Sequence, residues 1–121
     1  MALLVAGVVG ASVATLHGIL MQRHMVRPID AALARSHSPA AIRRLVSPLL
    51  HISTIAWFLG GLALIVVGSG LAPNLRFAVT WVVGGFYLHA MVANCWATRG
   101  RHPGWMLMAV ALALIAAGVR S

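Results

Sequence analysis

Acidic residues are nearly absent from this chain of 121 residues, which contains one aspartate, Asp30, and no glutamate or lysine. None of its long apolar stretches therefore carries a carboxylate that could relay protons, bind a cation or pair as a general acid with a base. Nine arginines bring the formal net charge to +8. Any chemistry inside the apolar stretches has to come from other side chains.

Cysteine is equally scarce, because Cys95 is the only one in the sequence. One copy of the chain cannot form an internal disulfide or a CxxC redox pair. It also cannot build a thiolate cage for zinc or for an iron-sulfur cluster.

Charge as a whole is low: charged residues make up 8% of the chain and hydrophobic residues 61%, with a mean hydropathy of +0.95. These values lie far from those of an average soluble domain. We expect an integral membrane protein with a single membrane domain over residues 1–121, since this length leaves no room for a separate soluble domain.

Four apolar stretches predict an all-α fold, an antiparallel four-helix transmembrane bundle with spans at about 2–21, 48–69, 75–97 and 103–119. The second span is expected to start with Ser47 as its cap and Pro48 at its first helical position, and the fourth to start at Pro103. The dipeptides Arg27-Pro28 and Ser38-Pro39 indicate breaks followed by new helix starts. The first loop on the cytoplasmic side is therefore predicted to hold short interfacial helices.

The arginines are unevenly distributed along this topology. Five lie in the connection 22–46 and two in the turn 99–103, whereas Arg76 and Arg120 lie on the other side. Because positively charged loops stay in the cytoplasm, this bias predicts that both termini lie outside the cytoplasm. We expect seven arginines to contact anionic lipid headgroups and not nucleic acid: Arg23, Arg27, Arg35, Arg43, Arg44, Arg99 and Arg101.

Three histidines lie in the predicted spans, and the topology brings His17, His51 and His89 to the cytoplasmic half of the membrane. Imidazole is a ligand for haem iron, for transition metals and for the metal of pigments, and facing helices of a bundle can hold such cofactors. We therefore predict that His17 and His51, with His89 as third candidate, bind haem b, a transition metal or a pigment. The alternative is that each histidine bonds a neighbouring helix or reaches the headgroups. Hydroxyl groups that could orient the imidazoles belong to Thr15, Ser53 and Thr54.

Two stripes occupy roughly opposite faces of the third predicted span. The polar stripe consists of Thr80, Gly84, Tyr87, Met91, Asn94 and Thr98. The second stripe consists of Ala78, Trp81, Gly85, His89 and Ala93. Both cannot face the centre of one small bundle, so either one faces another subunit or the interior has two wet sides. The glycine pairs 60–61 and 84–85 are attributed to close helix approach.

The favoured function is a small membrane subunit that binds a cofactor through its histidines, as a homo-oligomer or as an accessory subunit of a larger redox complex. One alternative is a homo-oligomeric, pH-sensitive transporter or channel whose pathway is lined by Thr80, Tyr87, Asn94 and Thr98. Another is a purely structural subunit. An enzyme is the least favoured class, because nucleophiles and acid/base groups are so few.

Two known families bear on this choice. The turn 99–105 (RGRHPGW), together with His17 and the segment 51–57, resembles a family of small, uncharacterised four-span bacterial proteins. This resemblance implies a bacterial inner-membrane protein and no particular activity. Small multidrug-resistance exporters are similar in length and number of spans only. That family works through a glutamate in its first span, where this chain offers His17.

Overall fold

The computed structural model describes residues 1–120, which are all-helical in their regular structure, with 88% helix and no strand in that range. Three helical segments are long and apolar enough to cross a membrane, Ala2–Arg35, Ala40–Gly68 and Pro73–Ala97, and a shorter apolar helix follows them. This confirms the helical class and fits a helical membrane bundle. The α-helices are α1 (Ala2–Met21), α2 (Arg27–Arg35), α3 (Ala40–Gly68), α4 (Arg76–Ala97) and α5 (Gly104–Arg120).

Helices α1 and α3 form the most extensive contact in the fold. Their backbones approach so closely that a Cβ atom on Gly61 would lie 2.7 Å from the amide nitrogen of Ala11. One on Gly68 would lie 2.6 Å from the amide nitrogen of Leu4. Residue numbers thus rise along α1 as they fall along α3. Small residues on both helices, among them Gly7 of α1 and Gly61 of α3, permit this approach.

Helices α4 and α5 complete the core. The side chain of Arg76 donates a hydrogen bond to the carbonyl oxygen of Gly118, so the start of α4 lies beside the end of α5. Val83 packs on Gly60 of α3, and the hydroxyl of Tyr87 donates to the carbonyl oxygen of Trp57 at 3.2 Å. The largest fully buried side chains come from all four long helices and are Leu3, Leu64, Tyr87 and Met108.

The predicted break at Arg27-Pro28 is wrong. A π-helical turn, Gln22–Val26, joins α1 to α2 without interruption, and Pro28 lies in the first turn of α2. A π-turn disturbs the regular hydrogen-bond ladder at this point, so a residue without an amide hydrogen is tolerated there. The break at Ser38-Pro39 is confirmed, since Pro39 caps α3.

The predicted start of the second apolar helix at Ser47 and Pro48 is also wrong. Helix α3 starts at Ala40, and Pro48 lies inside it. The preceding turns contain good helix formers such as alanine, arginine and leucine, which favour continuation through the proline. At the other end of the chain, α5 starts at Gly104 and not at Pro103, whose carbonyl oxygen accepts from the amide of Leu107 at 3.3 Å.

The two stripes of α4 face in different directions. In the polar stripe Thr80 and Tyr87 are buried and Asn94 and Thr98 are half-buried. Trp81, Gly85 and His89, which belong to the second stripe, are exposed. The polar stripe therefore packs into the core, and the second stripe lies on the outer surface of the single chain.

The two glycine pairs differ in the same way. Gly60 and Gly61 lie against neighbouring helices, as expected, but a Cβ atom on Gly84 or Gly85 would meet nothing within 4 Å. Within one chain, close helix approach therefore explains the first pair only. For the second pair, the explanation by packing within one chain is wrong.

Candidate functional site

His17 lies on α1 against α3, where its ring faces the indole of Trp57. The two ring centroids are 4.5 Å apart, with an angle of 48° between the planes. The Nε2 atom of His17 is buried and has no hydrogen-bond partner within residues 1–120, and the same holds for Oγ1 of Thr54, which lies against Gly18. Buried polar atoms nearly always have a partner, so these two atoms need an explanation.

A cavity of about 270 Å³ lies beside His17. Its polar groups are His17, Asn94 and His102, and much of the remaining wall is apolar. Leu16 and Leu107 belong to this wall and are themselves exposed, so the cavity opens on the outer surface between α1 and α5. The complete lining is Val13, Leu16, His17, Ile19, Leu20, Trp57, Asn94, His102, Pro103, Gly104, Leu107 and Met108.

Local hydrogen bonds position the other polar groups of this cavity. The Asn94 side-chain amide donates to the carbonyl oxygen of Ala90 at 2.9 Å, one turn earlier in α4. Nδ1 of His102 accepts from the amide of Gly104 at 3.0 Å, which satisfies one of the free amides at the start of α5. Because Nδ1 is an acceptor, the proton of a neutral His102 is on Nε2, which is then a donor.

His51 lies in a different environment. Its Nε2 atom is 2.9 Å from the side-chain oxygen Oε1 of Gln22 and donates to it. His51 lines a second groove, of about 390 Å³, on the surface formed by α1, the π-helical turn and α3. The structure therefore brings His17 and His51 to the same end of the fold but into separate cavities.

The remaining predicted site residues are dispersed. His89 is exposed on the outer face of α4, and Ser53 is half-buried in α3. The Thr15 hydroxyl donates to the carbonyl oxygen of Ala11 at 2.9 Å. Among residues 1–120 there is no group of three or more histidine, cysteine or acidic side chains that could hold a metal ion. Thr54 alone of the three predicted hydroxyl residues packs against α1 beside Gly18, with its hydroxyl buried.

The polar stripe of α4 forms its hydrogen bonds largely within the helix. The Thr80 hydroxyl donates to the carbonyl oxygens of Arg76 and Phe77, both at 2.9 Å. The Thr98 hydroxyl donates to the carbonyl oxygen of Asn94 at 2.6 Å. With Tyr87 bonded to α3, this stripe is a set of packed and satisfied side chains.

Two residues that line the cavity of His17, His102 and Trp57, were not predicted as site residues, although both lie in the segments that carry the family resemblance. A signal was present in the turn 99–105, where His102 precedes Pro103 and Gly104 at a helix start. The position of His102 in a turn does not predict the direction in which its side chain points. That direction depends on the capping hydrogen bond to Gly104.

No protein-family model matches this chain, and neither a curated protein nor a solved structure is significantly similar to it. The similarity to small four-span bacterial proteins therefore stays a prediction. The class defined by the fold is a helical bundle with three apolar helices of spanning length and a shorter fourth. Its candidate site is a histidine-containing cavity at one end.

Proposed function

We propose that the chain is a multi-pass membrane protein, an antiparallel four-span bundle in the bacterial inner membrane. Three segments satisfy the length and hydropathy of a span, and α5, with 17 residues, would extend about 26 Å. That is slightly less than the hydrocarbon core of a bilayer, and local thinning can accommodate the difference. The bacterial location rests on the family resemblance alone.

Both termini are proposed to lie outside the cytoplasm. The cavity that joins His17 to His102 shows that the end of α1 and the turn before α5 lie at the same end of the bundle. Seven arginines belong to this end, whereas Arg76 lies beside Gly118 at the opposite end. The positive-inside rule then assigns the arginine-rich end to the cytoplasm.

For the function, we propose that His17 is a single protein ligand to the central metal of a haem or related tetrapyrrole, held in the cavity between α1 and α5. The observation that carries this proposal is the buried Nε2 atom without a partner in the described chain. One histidine is a sufficient protein ligand for haem iron in several protein classes. A bare transition metal is less well supported, because the three-ligand cluster that it normally requires is missing from residues 1–120.

The walls of the cavity fit a largely apolar ligand. Leu16, Leu20 and Leu107 border its opening and are exposed, so a molecule dissolved in the bilayer could enter from the side. His102 and Asn94 supply polar groups for the polar edge of such a ligand. The cavity volume of about 270 Å³ is slightly below the usual range of ligand sites, which begins at about 300 Å³, so part of a macrocycle would lie outside the opening.

The test is the visible absorption spectrum of the protein purified in mild detergent, air-oxidised and then reduced with dithionite, with metal analysis of the same sample. We expect a Soret band that shifts on reduction. His17→Ala should abolish it, and His51→Ala is the matched control that should retain it, because His51 lines another groove. A Soret band unchanged in His17→Ala, or a wild-type spectrum without one and without metal, would contradict the proposal.

The transporter alternative receives less support. A pathway along Thr80, Tyr87, Asn94 and Thr98 would have to break the hydrogen bonds by which they are packed in the core. A route between two copies would not use this stripe. We therefore retain the cofactor-binding subunit as the preferred function.

A separate proposal concerns assembly: two copies associate through the outer face of α4. His89 is exposed there, near the middle of a 22-residue helix, and would face lipid in a single copy. Polar residues within a membrane normally face a partner. A two-fold axis would place His89 of one copy near His89 of the other copy. A neutral imidazole can both donate and accept a hydrogen bond. The open space at Gly85 on the same face would allow close approach.

A further inference from the structure

A groove lies at the arginine-rich end of the bundle, next to the cavity of His17, and Ile19 contributes to the walls of both. Its volume is about 390 Å³. The upper part contains the side chains of Arg23 and Arg27 together with the hydrogen-bonded pair of His51 and Gln22. The lower part, toward the middle of α1, is lined by Thr15, Gly18 and Ile19.

The π-helical turn Gln22–Val26 creates this arrangement. In a regular α-helix, Ile19 and Arg27 would lie about 80° apart around the axis. The additional residue of a π-turn reduces this angle to about 20°. Arg27 can therefore line the same groove as Ile19. Because π-turns are frequent at functional sites, the position of this π-turn beside the groove supports a functional role for the groove.

The groove is cationic. No acidic residue lines it. Asp30, the only acid in the chain, lies in an adjacent depression that Gln22 and Arg27 also border, and there it is 3.5 Å from Arg43. The Gln22 side-chain oxygen accepts from His51, which leaves the amide group of Gln22 available as a donor. Two guanidinium groups and an amide donor at the head of one groove are suited to a phosphate group.

We infer that this groove binds one anionic phospholipid, with the phosphate held by Arg23 and Arg27 and an acyl chain lying along Gly18 and Ile19. The apolar lower part favours a lipid over a free phosphate, which would use only the head of the groove. This inference rests on the proposed membrane location but not on the cofactor proposed at His17. The expected contact between arginines and lipid headgroups is thereby narrowed to one defined site at Arg23 and Arg27.

The experiment measures the binding of phosphatidylglycerol to the purified protein in a nonionic detergent, by native mass spectrometry and by the shift of the thermal unfolding midpoint. Phosphatidylcholine and inorganic phosphate are the comparison ligands. We expect phosphatidylglycerol to bind with defined stoichiometry and to raise the midpoint more than either of these. Equal effects of both phospholipids would overturn the inference, and full competition by millimolar inorganic phosphate would identify a free-phosphate site instead.

The decisive variant is the double substitution Arg23→Gln and Arg27→Gln. Its matched control, Arg35→Gln with Arg120→Gln, removes the same charge at residues outside the groove. We expect about thirtyfold weaker phosphatidylglycerol binding in the first variant and nearly unchanged binding in the control. Equal weakening in both would show diffuse attraction and overturn the inference.

Two further measurements distinguish a failure of this inference from a folding defect and from a failure of the proposed membrane location. The unfolding midpoint without lipid should be the same in both variants, which excludes a folding defect as the cause of lost binding. Alkaline carbonate extraction of membranes tests whether the protein is integral. A protein that stays in the membrane but binds no phosphatidylglycerol contradicts this inference alone, whereas release by carbonate contradicts the proposed membrane location.

Discussion

Gly10 of α1 lies directly against the phenol ring of Tyr87 in α4, and a Cβ atom at position 10 would overlap the hydroxyl oxygen of that tyrosine. Tyr87 is fully buried, and its hydroxyl donates to the carbonyl oxygen of Trp57 in α3. One side chain thus connects three helices at the centre of the fold. The absence of a side chain at Gly10 makes this connection possible.

Substitution Gly10→Ala is expected to lower the free energy of unfolding by about 1 to 3 kcal/mol, because the added methyl group overlaps a ring that cannot move freely. The measurement is denaturant-induced unfolding in mixed micelles. Gly84→Ala is the matched control in another helix, since a Cβ atom there meets nothing within 4 Å. We expect it to be neutral or stabilising by up to about 1 kcal/mol. Equal destabilisation by both substitutions would contradict the packing described here.

Substitution Tyr87→Phe removes the hydrogen bond to Trp57 and should cost about 0.6 kcal/mol, the average for hydrogen bonds between membrane helices. The same substitution also removes the oxygen atom that an alanine at position 10 would overlap. Gly10→Ala should therefore cost less in the Tyr87→Phe background than in the original chain. A double-mutant cycle measured by unfolding tests this, and strictly additive effects would show that the two residues do not interact.

Substitution Gly85→Leu should disrupt the proposed dimer without harming the single chain, because position 85 has open space around it and leucine favours helix more than glycine does. Association is measured by energy transfer between labelled copies in lipid vesicles. We expect the apparent association constant to fall at least about tenfold. Ala117→Leu, on the exposed face of α5, is the control and should leave association unchanged. Equal association in wild type and Gly85→Leu would exclude this interface.

Substitution Asp30→Asn should change stability by less than about 1 kcal/mol, although it removes the only acid in the chain. Its ion pair with Arg43 is 3.5 Å long, and both side chains are about half exposed, Asp30 at 52% and Arg43 at 42%. Solvent and salt screen such a pair. Unfolding measured at low and high salt provides the check, and a loss of several kcal/mol would show that α2 depends on this pair.

The helices could be predicted from the sequence much better than their ends. Apolar runs give a strong signal for helix, but the prolines at 28 and 48 suggested boundaries that the structure does not have. Proline disfavours a helix locally by removing one hydrogen bond. A π-turn before Pro28 and good helix formers before Pro48 offset that cost, and neither effect has a simple sequence signature.

The sequence indicated how deep the histidines lie along the helices but not the direction in which their side chains point. The sequence places His17 and His51 at similar depth, yet the rotation of each helix decides that one faces Trp57 and the other Gln22. The contact of His102 with the same cavity as His17 depends on the path of a short turn. Such rotations follow from the packing of all helices together.

The sequence by itself determined the helical class, the apolar character of the long segments and the concentration of arginine at one end, because these properties depend on composition and on position along the chain. The tertiary structure alone decided which faces are buried. Close contacts at Gly10 and Gly61 fix the rotation of α1 and α3, and that rotation separates His17 from His51 and leaves His89 outside. Packing between helices, which depends on all neighbours at once, is the physical reason.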